Sequence, residues 1–250
     1  MFYGNPKKTL LLSATLESDD PVTDKMYRTM IPNNYRLKEA EAENFIDVHA
    51  YCYKVCQRKY KIKTKQFGSY SDIAFENSIL RSNELKEFYY QLMKKAFNDY
   101  YLDRREEKMK CLFFFTLVDM CLYMKERFKQ DYPSEDFETY LGTLDKKNPT
   151  KYLEHEIIIT TPGSCGTGKD IPGLMTVICS HTVFSTQRNK QMIGRLRNPR
   201  DMFGGRVHPT FVFPVCLDIQ KHKDCVAKRK SAFAKKTREF KNINSFMELA

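Results

Sequence analysis

The run GSCGTGK at positions 163–169 has the glycine and lysine spacing of a loop that wraps a triphosphate, and it follows an apolar run that reads as a strand. Its chemistry then departs from that use. A phosphate cradle needs Ser or Thr directly after its lysine, because that hydroxyl ligates magnesium, and here the residue is Asp170. A carboxylate in that place would repel the triphosphate. The loop must also open a helix whose first amides bind phosphate, whereas Pro172 and Gly173 follow almost at once and oppose helix propagation. A stand-alone P-loop kinase, which needs ATP at Lys169, is therefore not the expected reading.

Two other groups of side chains could do chemistry by holding zinc: His49 with Cys52 and Cys56, and Cys216 with His222 and Cys225. Neither has the paired spacing of a finger or ribbon, so no metal site is expected. The chain is 250 residues long, enough to fold without staples, and several of its eight cysteines sit in apolar runs. They read as reduced thiols, which places the protein inside the cell, in the cytoplasm or nucleus. The longest apolar stretch, 111–124, is interrupted by Asp119 and is too short to cross a bilayer. No secretory signal is legible at the start, and no membrane partner is expected. Forty-two Lys and Arg against thirty-one Asp and Glu give a net charge of +11. Such an excess suits a polyanionic partner, since neutralising phosphates releases condensed counterions.

The elements that must position these residues read as an α/β sheet. Strands are expected at 8–14, 45–55, 110–116, 139–141, 156–160, 175–180 and 210–215. Asp20 followed by Pro21 starts a helix with Val22, Met26 and Met30 on one face. Leu85, Phe88, Tyr89, Leu92, Ala96 and Phe97 mark an amphipathic helix over 83–102, and further helices follow the strand at 110–116 and cover 187–196. The stretch 58–65 reads as a loop or strand end. Strands that are hydrophobic throughout, separated by helices, indicate a mostly parallel sheet covered on both faces. In the tail, 221–241 carries nine Lys and Arg, and Val226, Phe233, Phe240 and Met247 recur every seven residues. That spacing predicts a long basic helix with one apolar seam.

Three stretches in order, SATLES at 13–18, ITTPGSCGTGKDIPG at 159–173 and QMIGRLR at 191–197, resemble the later motifs of superfamily 2 helicases and translocases. The resemblance runs from residue 8 to about 215. It implies a RecA-like α/β fold, here with a basic C-terminal helix, and a motor fuelled by ATP and Mg2+. SATLES resembles the third motif, so Ser13, Ala14 and Thr15 would couple hydrolysis to strand movement. The glycine loop fits the fifth motif, with threonines at a strand end and then Gly-x-Asp, a branched apolar residue and a proline. By that resemblance Thr160 or Thr161 would touch the nucleic-acid backbone, while Gly168 and Asp170 would turn toward the ATP cleft. Thr116 matches the polar strand end of the fourth motif, and Gly142 and Thr143 occupy the similar place on the next strand; both would contact phosphates. Gln191, Gly194 and Arg195 match the sixth motif, whose arginines reach into the first domain's ATP site. Arg195 is the first arginine finger. The second usually lies three residues on, where Asn198 stands, flanked by Arg197 and Arg200, so its identity stays open. A guanidinium suits the task because it is a permanent, forked donor against the charge developing on the γ-phosphate.

A Walker A loop and an acidic magnesium box are not found among the twelve residues before Ser13. The chain therefore reads as one jaw of a motor. Residues 1–18 would be the last strand and third motif of a first domain, 19–44 a linker, 45–217 the second RecA-like domain with an insertion near 58–79, and 218–250 a basic helical tail. The expected partners are nucleic acid, DNA ahead of RNA, and the N-terminal RecA-like domain of the same protein. No cofactor and no ATP turnover are expected of the isolated chain. The pattern is nearer to viral and phage-type repair or origin-processing helicases than to DEAD-box proteins, whose corresponding motif begins His-Arg. The competing reading is a non-catalytic nucleic-acid-binding module that keeps the fold without the engine.

Overall fold

The computed structural model describes residues 18, 20–32, 35, 43–142, 150–164, 170–198 and 207–250. In chain order these form α1 (Pro21–Met30), β1 (Ile46–Val55), α2 (Gln57–Tyr60), β2 (Lys65–Gln66), β3 (Ser69–Tyr70), α3 (Asp72–Leu80) and α4 (Asn83–Tyr100). There follow β4 (Lys110–Phe114), α5 (Val118–Asp131), β5 (Phe137–Tyr140), β6 (Ile157–Thr160), β7 (Leu174–Cys179), α6 (Thr186–Ile193), β8 (Thr210–Cys216), α7 (Gln220–Phe233) and β9 (Thr237–Leu249). Seven of the strands make one sheet in the order β5-β6-β4-β7-β8-β1-β9, and every pairing in it is parallel.

Burial on both faces explains why the strands are continuous apolar runs. Alternate residues of β4 divide between two cores: Cys111 and Phe113 pack with Phe97 and Phe128 from α4 and α5, whereas Leu112 and Phe114 pack with Met192 and Phe233 from α6 and α7. The first core is rich in rings, with Phe97 centred 5.5 Å from Phe128 and 5.4 Å from Phe137. Helix α4 forms where expected, its Ser82 side chain accepting from the Leu85 amide at 3.3 Å and Leu85, Tyr89, Leu92, Met93, Ala96 and Phe97 turned inward. Helix α1 likewise starts on Asp20, whose carboxylate accepts from the Thr23 amide at 2.9 Å. The strand expected at 8–14 lies outside the described residues. No described helix is long and apolar enough to cross a membrane.

One expectation needs correction. The basic tail is helical only through Phe233, and Thr237–Leu249 is a strand along the outer edge of β1. Seven is an odd number, so residues seven apart share a helix face but fall on opposite faces of a strand. Phe240 accordingly packs in the core under α6 and α7, and Met247 in the core under α4. The requirement that wins is satisfaction of β1, whose Val48 and Ala50 are wholly buried and whose backbone needs ladder partners on both sides. The stretch 58–79, read as an insertion, packs against the rest of the domain. It forms α2, a β2–β3 hairpin and most of α3, and α3 buries Phe75, Glu76 and Ile79. This stretch is part of the domain's core.

Candidate nucleic-acid and nucleotide edge

A parallel sheet puts the carboxyl ends of all its strands on one edge, and the loops that leave them converge there. Neighbouring strands β5, β6 and β4 deliver Gly142, Thr161 and Thr116 to that edge. A Cβ added to Gly142 would lie 3.4 Å from Ser164 Cα, so the loops after β5 and β6 touch. Thr161 is nearly buried; its hydroxyl meets Ser164 Oγ at 2.8 Å and accepts from the Ser164 amide at 3.2 Å, closing the turn that begins the glycine loop. Thr160 faces the other way. It is fully buried and its hydroxyl donates to the Tyr140 carbonyl at 2.5 Å, so of the two candidate threonines it is the one tied to the neighbouring strand.

Thr116 is also held from within. Its amide donates to both Glu76 oxygens at 2.8 and 3.0 Å, the Leu117 amide donates to Glu76 Oε2 at 2.8 Å, and the Thr116 hydroxyl meets His181 Nδ1 at 3.0 Å. Glu76 thus places acceptor oxygens at the N-terminus of α5. It is 1% exposed and also accepts from Ser180 Oγ at 3.2 Å, whose partner in turn is the Tyr89 hydroxyl at 2.6 Å. Burial pushes its carboxyl up to about 7, opposed by the amide bonds from Thr116 and Leu117. Asp72, one turn earlier, accepts from the Thr182 amide at 2.9 Å and from the Tyr70 hydroxyl at 3.1 Å, with His181 Nδ1 3.3 Å away. Burial pulls His181 below its usual range. The same network reaches His222, which takes the Cys216 amide on Nδ1 at 3.3 Å and meets the Tyr70 hydroxyl through Nε2 at 2.7 Å. Both of its ring nitrogens are occupied, which leaves none for zinc, and among the described residues no three His, Cys, Asp or Glu gather at metal-binding distance.

Beyond β7, helix α6 begins on a Ser185 cap and carries the arginine-rich motif. Gln191 is half-buried; Gly194 ends the helix where a Cβ would stand 2.9 Å from the Lys190 carbonyl, and Arg195 is half-buried after it. The residue that meets Asp170 is Arg197, with Nε 3.4 Å from Oδ1 and both side chains well exposed. Two motifs 27 positions apart are joined by that contact. A fully buried cation, Arg229 of α7, fixes α6 from behind: it donates to Asn189 Oδ1 at 3.3 Å and to the His181 carbonyl at 2.5 Å, and lies 4.4 Å from the centre of the Phe213 ring. Asn189 in turn donates to the Val183 and Ser185 carbonyls. Glu76, Asp72, His181 and Arg229 were not expected from the sequence. The available signal for Glu76 was one carboxylate among Ile73, Ala74, Phe75, Ile79 and Leu80 behind a Ser71 cap. Ser13, Ala14, Thr15, Thr143, Gly168, Lys169 and Arg200 lie outside the described residues.

The same architecture is found in S. cerevisiae Dbp5. This chain matches the Dbp5 L327V structure bound to Gle1 H337R and IP6 over 91% of its own length and 48% of that chain, with a TM-score of 0.52 and 12% identity. The fold is RecA-like. A second match, Dbp5 L327V bound to RNA and ADP BeF3, has a TM-score of 0.52 and 12% identity over 90% of this RecA-like chain and 49% of that one. The RecA-like chain thus spans about half the length of these structures. No protein-family model matches the sequence, and no curated protein matches it.

Proposed function

We propose that this chain is the second RecA-like domain of an ATP-dependent superfamily 2 nucleic-acid motor, binding a strand along its carboxyl edge and presenting arginine to the ATP site of a first domain. The observation that carries the reading is the contact between Asp170 and Arg197, which joins the ends of the fifth- and sixth-motif segments. The Dbp5 structure bound to RNA and ADP BeF3 supports nucleic acid and nucleotide as the two ligands. On this reading Gly142, Thr143 and Thr161 shape the surface that meets the backbone, Thr116 is held beneath it by Glu76, and Gly168 and Asp170 turn toward the nucleotide.

Exposed ion pairs contribute about 0–1 kcal/mol, so Arg197 can leave Asp170 for a phosphate at little cost. Gln191 and Gly194 set the path of the chain that carries Arg195 and Arg197. Arg195 is the first finger and Arg197 the candidate for the second. ATP with Mg2+ supplies the free energy when held by the first domain; what this domain adds is permanent positive charge and a strand-gripping surface that moves with it. DNA is the strand favoured by the phage-like motif pattern, and parallel titrations with oligo-dT and oligo-U decide between DNA and RNA.

The test is binding of this chain to a labelled single strand across salt. Affinity should fall steeply with ionic strength and vary little with sequence; affinity unchanged between low and moderate salt would refute the reading. In the complete motor, Arg195→Ala should lower ATP turnover on the order of a hundredfold while strand binding persists. Wild-type turnover in both Arg195→Ala and Arg197→Ala would leave a binding module without arginine fingers.

A further inference from the structure

The geometry points to the β2–β3 hairpin as a contact for single-stranded nucleic acid, with the Phe67 ring stacking on a base and Lys63, Lys65 and Lys221 holding the flanking phosphates. This rests on the nucleic-acid reading above and extends it to residues that no motif covers. Lys65 pairs with Tyr70 and Gln66 with Ser69, which leaves Phe67 and Gly68 as a two-residue turn. Their φ angles are 50° and 78°, both left-handed, as a type I′ turn requires. Gly68 suits that conformation, but the first position ordinarily takes Asn, Asp or Gly, and a bulky side chain there is strained. The strain is not offset by packing, because Phe67 is 96% exposed. A ring held in a strained turn and buried against nothing does no work for the fold, and such positions concentrate at functional sites.

The hairpin is presented rigidly. The Ser71 amide donates to the Thr64 carbonyl at 3.0 Å, the Lys63 amide to Ser78 Oγ at 3.0 Å, and the Ser71 hydroxyl to Gln66 Oε1 at 3.3 Å. Leading into it, Lys61, Lys63 and Lys65 are exposed around the buried Ile62, so the approach to the hairpin presents three lysines to solvent. Behind it lies an open cleft of about 450 Å³ closed on the far side by Phe184 and Lys221. Lys221 sits 5.6 Å from the Phe184 ring centre and 3.7 Å from Asp224. Aromatic faces beside lysines are the combination that holds single strands without reading sequence. The position fits too. The Tyr70 hydroxyl is 3.3 Å from Thr182 Oγ1 in the loop that leaves β7, so the hairpin stands on the same carboxyl edge, one strand beyond β4. A strand laid across the ends of β5, β6 and β4 reaches it next.

The chain contains no tryptophan, so a Phe67→Trp variant carries a single reporter at the tip. Titrated with dT20 and U20, that variant should keep wild-type affinity and lose fluorescence as a base stacks. Phe67→Ala, at a position whose ring packs on nothing, should bind about tenfold more weakly with an unchanged salt slope. The double variant Lys63→Ala/Lys65→Ala should instead lower the slope of log affinity against log salt by about 1.4. Equal binding by wild type and Phe67→Ala, with constant tryptophan emission, would overturn the hairpin contact and leave the motor reading standing. Failure of the wild-type chain to bind either oligonucleotide would overturn both.

Discussion

Protonating His222 should unfasten the carboxyl edge from below. The Cys216 amide points at Nδ1, so that nitrogen must present its lone pair, and the ring proton lies on Nε2 toward Tyr70. A second proton would set N–H against N–H in a site 4% exposed, near the Arg229 charge. Burial first, and Arg229 second, lower the imidazole from 6.5 to about 3. The folded pKa is depressed, so the unfolded chain binds the extra proton first. Stability from a neutral His222 is therefore complete above about pH 6.5 and is lost as pH falls toward 3. At 1.36 kcal/mol per unit, the loss between pH 6.5 and 4.5 approaches about 2.7 kcal/mol. Glu76 acts with the opposite sign. Its folded pKa is raised from 4.5 to about 7, so its contribution is present at low pH and lost as pH rises through 7. The two slopes oppose each other between 4.5 and 6.5, and the wild-type profile alone conceals both. Urea unfolding of wild type and His222→Gln at each pH isolates the term. The wild-type advantage should shrink by about 2–3 kcal/mol from pH 7 to 4.5; an advantage constant across that range would refute the argument.

Glu76→Gln should show the mirror image, with wild type gaining on the variant as pH falls from 7.5 to 4.5, read by the same unfolding series. Glu76→Ala should cost about 2–3 kcal/mol at pH 7.5 and more as pH falls, because it strands the Thr116 and Leu117 amides, and thermal melts would detect a shift of several degrees. Arg229→Ala should cost about 3–5 kcal/mol, through an emptied site and the orphaned Asn189 and His181 acceptors, whereas Arg229→Met, which refills the space over Phe213, should recover part of it. Equal stability of the two Arg229 variants, measured by denaturant midpoint, would show that volume plays no part.

The central strands were legible because they are buried on both faces. Ile157–Thr160 and Leu174–Cys179 have every residue inside, and runs apolar but for a threonine each are what two covered faces produce. Helix α4 was legible for the complementary reason, since one buried face leaves a 3.6-residue rhythm and Ser82 marks its start. Thr237–Leu249 was hidden because its sequence satisfies a seven-residue pattern by coincidence, and only the open flank of β1 decides between helix and strand. The choice between Thr160 and Thr161 was equally closed to the sequence. Successive residues at a strand end point to opposite faces, and which one turns inward depends on where Tyr140 lies on the neighbouring strand. Arg229 was invisible because it stands among Lys228 and Lys230, in a run that reads as solvated charge, while only its own side chain faces Phe211 and Phe213.

The placing of β1 has a consequence for assembly. Among the described strands it comes first in the chain, yet its two neighbours are β8 and β9, which enter from positions 210 and 237. The half of the sheet from β5 to β7 can zip as successive short-range crossovers, but β1 must wait, with Val48 and Ala50 unshielded, until β8 and then β9 arrive, more than 150 residues later. Long-range parallel pairing is slow to form, and an unpaired apolar strand templates association while it waits. Newly made chains stalled before residue 237 should accordingly be the aggregation-prone species, and chaperone occupancy during synthesis should end when β9 closes over β1.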